Sequence, residues 1–402
     1  MKTSGLDVHK DKIFCAIYDG KTFGEVKEFD TFTSSLKRLG AYLQSENVKR
    51  IAMESTSIYW IAVWNILEEM NFELVLVNPF LIKQMPGRKS DVKDAQWIAK
   101  LLHKDLLRGS FVPDASIQRL RSYSRKYMKL QQQITRSLIL MDNLLVMSGI
   151  RISSCVSDIG GKSTLNVIEA LIKGEDDPVK LSKLVYGNRE NKKTGKLLQA
   201  LTGNMQEHHR DRLEMEKEQY DLLETQSRRC LGKMEEICNE EFAEAFDLLS
   251  TMPGIGHISA MIIIAETGAD MQAFESSNKL VGWAGLRPRN DESAGKYKST
   301  AITKGNKYLK TTLVQTAWAA SRSKGTFFQE KFNRLAIRKS RKKALIAIAR
   351  KILVTVWHIL NEKRGYNPTL LPVYNQEKLS AKVRYHQKEI ERIEALIPRK
   401  TA

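Results

Sequence analysis

Cysteine is scarce in this chain. Cys15, Cys155, Cys230 and Cys238 are the only four in 402 residues, with no CxxC pair and no His/Cys grouping at zinc-ligand spacing. That excludes a disulfide scaffold or a zinc finger. No run of about 18 apolar residues occurs, so no transmembrane helix is expected. The start, MKTSGLDVHKDK, lacks the apolar core of a signal peptide, and the expectation is a cytoplasmic protein without a membrane partner. Acids are also in deficit: 46 Asp and Glu stand against 65 Lys and Arg, a formal charge of +19. A surplus of that size points to a polyanionic partner such as nucleic acid. The length allows two or three domains, each with its own core.

Against this basic background a few acids stand out by position. Asp7 lies in GLDVHK and Glu54 ends the apolar run RIAME. Asp91 and Asp94 open KSDVKDAQWIA. Three residues is close to one helical turn, so Asp91 and Asp94 share a face if the stretch is helical. Buried carboxylates need a partner or a metal. Hard oxygen ligands suit Mg²⁺ or Mn²⁺, and two such ions clamp a phosphodiester for displacement.

Residues 4–32 read as three short strands, SGLDVHK, KIFCAIYD and FGEVKEFDTF. A helix follows near 34–46, then a strand (KRIAMES), a helix (IYWIAVWNILEEM), a strand (FELVLVN) and a helix (DAQWIAKLLHKDL). That order predicts a layered α/β sheet. In a ribonuclease H-like arrangement the fourth strand lies beside the first, which brings Glu54 next to Asp7 and lets the helix of Asp91 and Asp94 close the site. This domain is expected over 1–112.

Over 113–244 the periodicity changes. Leu120, Tyr127, Ile134 and Met141 recur every seven, with Tyr123, Leu130 and Leu144 on the complementary seam. A second run has Leu213, Tyr220 and Met234 with Leu223, Cys230 and Ile237. Two such stretches predict an antiparallel or intermolecular coiled coil, or a helical bundle, because Ser137 and Ser227 interrupt the seams. The polar stretch 150–204 between them is expected to form short helices and a flexible insertion. From 245 to 370 a mostly helical domain is expected, followed by a charged tail over 371–402 with a helix near 376–395.

Several basic clusters follow. PGIG at 253–256, between apolar segments, has the form of a helix-hairpin-helix turn in which Gly254 and Gly256 let backbone N–H groups approach phosphate; a tight turn is the plain alternative. Residues 285–310 carry Arg287, Arg289, Lys296, Lys298, Lys304 and Lys307, and Ser293 lies among them as a possible nucleophile. Arg119, Arg121, Arg125 and Lys126 fall in a stretch without acids, a pattern of an electrostatic footprint. GGKST at 160–164 is not a P-loop: Val156 stands where the pattern needs Gly.

Taken in order, GLDVHK, the MEST strand end, KSDVKDAQWIA, MPGIG, GWAGLRPR and TKGNKYLK resemble the DEDD transposases of bacterial insertion sequences, over nearly the whole chain. The resemblance implies a RuvC-like N-terminal domain, a helical middle and a C-terminal transposase domain. It implies that Asp7, Glu54, Asp91 and Asp94 hold Mg²⁺ or Mn²⁺, and that Ser293 forms a covalent link to DNA. Members commonly show Ser-Gly-Gly-Lys where this chain has Ser-Ala-Gly-Lys at 293–296; Ser299 is the alternative nucleophile. It also implies donor and target DNA, a structured guide RNA from the element, and a dimer or tetramer in which one subunit's acids face another's serine. A Holliday-junction resolvase using water, or a non-catalytic nucleic-acid-binding assembly protein, are the alternatives.

Overall fold

The computed structural model describes residues 1–54, 57–78, 91–107, 109–185, 191–289, 291–293, 296–299, 301–368 and 376–394. The chain divides into two compact units, Met1–Pro113 and Asp114–Ala402.

The first unit is built on strands β1 (Thr3–Val8), β2 (Lys12–Tyr18), β3 (Lys27–Asp30), β4 (Arg50–Glu54) and β5 (Glu73–Val77). Helices α1 (Thr33–Ser45), α2 (Trp60–Glu69) and α3 (Asp91–His103) complete it. The sheet order is β3-β2-β1-β4-β5, with β2 antiparallel to β1 and β3, and β1, β4 and β5 parallel. That is the ribonuclease H-like order, and the strands fall where the sequence pattern places them. Alternation divides the faces. Leu6, Val8, Ile51 and Met53 pack with Leu36, Leu39 and Leu43 of α1 and Val63, Trp64 and Leu67 of α2. Ala52 and Val77 face the other way, onto Ile98 and Leu102 of α3. Gly5 lies on that second face. A Cβ there would collide with the carbonyl of Ala95 and the amide of Ala99, so α3 rests directly on the β1 backbone. The Thr3 hydroxyl donates to the Ala99 carbonyl at 3.0 Å on the same seam.

The second unit opens with α4 (Ala115–Met147), N-capped by the Asp114 carboxylate, which accepts from the Ile117 amide. Short helices α5 (Lys162–Ile172), α6 (Pro178–Lys183) and α7 (Asn191–Leu201) lead to α8 (Glu207–Glu241). Helices α4 and α8 pair within the chain and run antiparallel: Arg119 bonds Glu241 near one end, and Gln131 donates to Ser227 at 2.7 Å further along. The heptad positions Leu130, Ile134, Met141, Leu213, Tyr220, Leu223 and Cys230 join one core there. The expected flexible insertion is corrected by that core. Among its described residues, Ile150, Ile152, Val167, Ile168, Leu171, Leu181, Leu197 and Leu201 are buried in it, apolar positions at helical spacing hidden in a polar composition.

The remaining elements are α9 (Ala243–Ser250), α10 (His257–Thr267), α11 (Ser277–Trp283), β6 (Asp291–Ser293), β7 (Lys296–Ser299), α12 (Lys307–Ala320), α13 (Phe327–Arg338), α14 (Arg341–Glu362) and α15 (Gln376–Glu394). By length and composition alone α14 is apolar enough to cross a membrane, a test that a buried core helix also passes. Here it buries Ile348, Ile352, Val356 and their neighbours while packing on α11, α12 and α13. All four cysteines are free thiols. Burial pushes Cys15 up to about 11 and Cys238 up to about 12, which holds both as inert thiols.

Candidate metal centre and basic surfaces

The β1 face against α3 carries Gly5 and, two residues on, Asp7. Parallel pairing sets Leu6 opposite Met53, and the next residues along both strands are Asp7 and Glu54. Both are charged groups in a buried setting, Asp7 at 6% exposure and Glu54 at 9%. From above, α3 supplies Asp91 in its first turn, exposed, and Asp94, half-buried. The first turn of a helix favours carboxylates electrostatically. The Gly5 contact sets how close this helix sits, so a residue with no side chain fixes the spacing of the site.

The protonation of Asp7 records the crowding. Burial pushes its carboxyl up from 3.8 to about 6; the neighbouring His9 pulls it down, and the charges of Glu54 and Asp94 push it further up. His9 Nε2 lies 3.1 Å from Asp7 Oδ2 and 3.7 Å from Asp91 Oδ1. Ligand atoms of Asp7, His9 and Asp91 fall within 4.8 Å of one another, close enough to share one cation. His9 follows the last residue of β1, outside the strand's alternation, and reaches Asp7 by its side chain, a contact the sequence pattern does not carry. The donor set fits a divalent cation: carboxylate oxygens that repel each other without one, and an imidazole nitrogen that Mn²⁺ tolerates.

In the second unit the basic residues separate into two kinds. Arg119 pairs with Glu241. Arg121 donates to the carbonyls of Ala265 (2.8 Å) and Glu266 (2.9 Å), closing the C-terminal turn of α10. Arg125 donates to both oxygens of Glu266 at 2.8 Å each. The acid-free stretch of sequence therefore meets acids and carbonyls from elsewhere in the chain, and each of these three arginines has an intramolecular partner. Lys126, Arg287, Arg289, Lys304 and Lys307 are exposed.

Gly254, at φ +91°, packs on α12: a Cβ would sit 2.6 Å from Ala320 Cβ and 2.7 Å from the Thr316 carbonyl oxygen. Gly256 is exposed at the N-cap of α10 with open space where a Cβ would point. Ser293 stands opposite Lys296 in the β6–β7 ladder, with Lys298 further along β7; Ala294 and Gly295 lie outside the described residues. The ribbon extends through Arg289 N–H to the Ala301 carbonyl and Thr303 N–H to the Arg287 carbonyl, both 2.9 Å. The Ser299 hydroxyl accepts from the Ala301 amide at 3.2 Å.

Two family models match this chain, a DEDD-type IS110 transposase model over residues 4–148 and the transposase IS116/IS110/IS902 family over residues 246–333, together more than half of it. The chain belongs to the IS110 transposase family. Among curated relatives, the pilin gene-inverting proteins of Moraxella bovis and Moraxella lacunata are each 30% identical over 133 residues, 32% of this chain and 41% of theirs. The match thus spans less than half the length of those relatives. A solved structure of RuvC from T. thermophilus in complex with a Holliday junction substrate is 13% identical with a TM-score of 0.23, covering 27% of this chain and 99% of that one. Both IS110 models fall on the segments that carry the acids and Ser293.

Proposed function

We propose that this protein is a DNA transposase or recombinase that cuts and rejoins strands by metal-dependent phosphoryl transfer. The observation that carries the reading is the convergence of Asp7, Glu54, Asp91 and Asp94 at the ends of β1 and β4 and the start of α3, with Asp7 driven up to about 6 by burial and by its neighbours' charge. Asp7 and Asp91, joined by His9, would hold Mg²⁺ or Mn²⁺, with Glu54 and Asp94 completing the shell. Such a cation supplies Lewis-acid stabilisation of charge on the scissile phosphate. His9 holds Asp7 in place through a hydrogen bond of 3.1 Å and stands 3.7 Å from Asp91.

Ser293 is the proposed nucleophile. Its oxygen bonds to phosphorus, the bond from phosphorus to one sugar oxygen breaks, and that oxygen leaves as a free hydroxyl, leaving DNA linked to protein. Lys296, Lys298, Arg287 and Arg289 balance phosphate charge. A structured RNA from the element would select sites by base pairing, leaving shape and backbone to the protein. A homo-oligomer is the proposed working form.

The test is a supercoiled plasmid carrying the element's ends, incubated with Mg²⁺ and the flanking transcript. Products are resolved on a denaturing gel with and without proteinase. A protein–DNA adduct present in wild type and lost in Ser293→Ala supports the reading. Cleavage of equal extent in both proteins, with no adduct, replaces it with a water-using resolvase, since the acid cluster needs no serine for that chemistry.

A further inference from the structure

Between α4 and α12 the second unit holds an open groove of about 560 Å³. Its lining includes Arg125, Lys126 and Lys129 from α4 and Lys307, Tyr308 and Thr311 from α12; no acid lines it among the described residues. Arg125 is neutralised from behind by Glu266. Lys126, Lys129 and Lys307 make no ion pair among the described residues, and all three are exposed. Like charges gathered on one concave wall repel each other and raise the local concentration of anions.

The groove is also rigid. Glu266, fully buried, binds Arg125 through two bonds and accepts a third, at 2.6 Å, from Asn306. The Asn306 side chain in turn accepts from the amides of Tyr308 (3.0 Å) and Leu309 (3.1 Å), which starts α12 at that point. One carboxylate thus fixes both walls. The Tyr308 ring is already occupied: the Arg125 guanidinium lies 4.6 Å and the Lys307 ammonium 5.1 Å from its centroid. A ring holding two cations is not presented to a base, so recognition here falls to charge. A preformed wall of cations loses little freedom on binding.

We infer that this groove binds the phosphodiester backbone of DNA, independently of sequence, through Lys126, Lys129 and Lys307. The inference rests on the DNA reading above and adds to it a site within the second unit. Three lysines spaced along two facing helices suit a linear polyanion better than a compact one.

The experiment measures affinity of the full chain for duplex DNA against salt concentration. Lys126→Ala, Lys129→Ala and Lys307→Ala are compared with Lys180→Ala, a control on the short helix α6 that pairs with Glu175. Each groove variant should lower the slope of log affinity on log salt by about one, equally on DNAs of different sequence. Lys129→Arg should restore it, and the control should match wild type. Wild-type slopes in all three groove variants overturn the site, and so does a loss confined to one DNA sequence. A slope change seen only with RNA overturns the assignment to DNA. If wild type shows no salt-dependent DNA affinity at all, the DNA reading itself fails, a different result from wild-type slopes retained in the variants.

Discussion

Arg125 grips Glu266 through two hydrogen bonds of 2.8 Å, although the residues are 141 positions apart. Glu266 has no exposure to solvent and also holds Asn306 and faces Arg121 at 3.8 Å. Removing one partner of a buried pair leaves the others uncompensated, a loss of about 3 kcal/mol. Glu266→Ala should therefore lower the urea midpoint of the second unit strongly. Arg125→Ala should do less, because that side chain is partly in solvent and Arg121 remains. Equal, small effects from both would show that the clamp adds nothing to stability.

Gly5 supports the other unit. The α3 backbone occupies the space of its absent side chain. Gly5→Ala must push α3 off β1, an overpacking penalty of about 1–3 kcal/mol. It also moves Asp91 and Asp94 relative to Asp7. The expected outcome is a folded but destabilised protein whose Mn²⁺ affinity, by calorimetry, falls more than its melting temperature would suggest. Unchanged Mn²⁺ affinity would separate α3 placement from the site.

Much of this was legible in the sequence for local reasons. The apolar runs of β1 and β4, and the i, i+3 spacing of Asp91 and Asp94, are short-range signals that survive without a partner. The heptads of α4 and α8 were visible in the same way, but their antiparallel pairing within one chain was not decided by spacing. Arg121 and Arg125 show the limit. In sequence they stand in an acid-free run; in space they meet a carboxylate from α10, a helix whose apolar run hides Glu266. His9 lies one residue past the end of β1, so no strand periodicity marks it, and only the fold brings its ring to Asp7.

The PGIG turn gives a prediction that divides its two glycines. Gly254 has φ +91° and touches α12, so Gly254→Ala adds strain and collision and should destabilise by more than 1 kcal/mol. Gly256, at φ −93° with open space around it, tolerates Ala structurally. If the α10 N-terminus meets phosphate, Gly256→Ala weakens DNA affinity without shifting the melting temperature. Unchanged affinity reduces the turn to a packing element.

Asp7 sets a pH dependence whose sign can be worked out. Its carboxyl titrates near 6 in the folded chain against 3.8 ordinarily, with burial the largest cause and Glu54 and Asp94 adding to it. Between those values the folded state holds a proton that the unfolded state has released. Stability of the metal-free protein is therefore greatest below about pH 4 in this respect, and falls as pH rises through 6, by up to about 3 kcal/mol. Asp7→Asn should remove that slope and raise the melting temperature of the metal-free protein at pH 7.5. A divalent cation competes with the same proton. Mn²⁺ should then stabilise wild type more at pH 7.5 than at pH 5, and should barely affect Asp7→Asn at either. Melting curves at the two pH values, with and without Mn²⁺, check both statements. Equal Mn²⁺ shifts in wild type and Asp7→Asn would place the ion elsewhere and remove Asp7 from the metal centre.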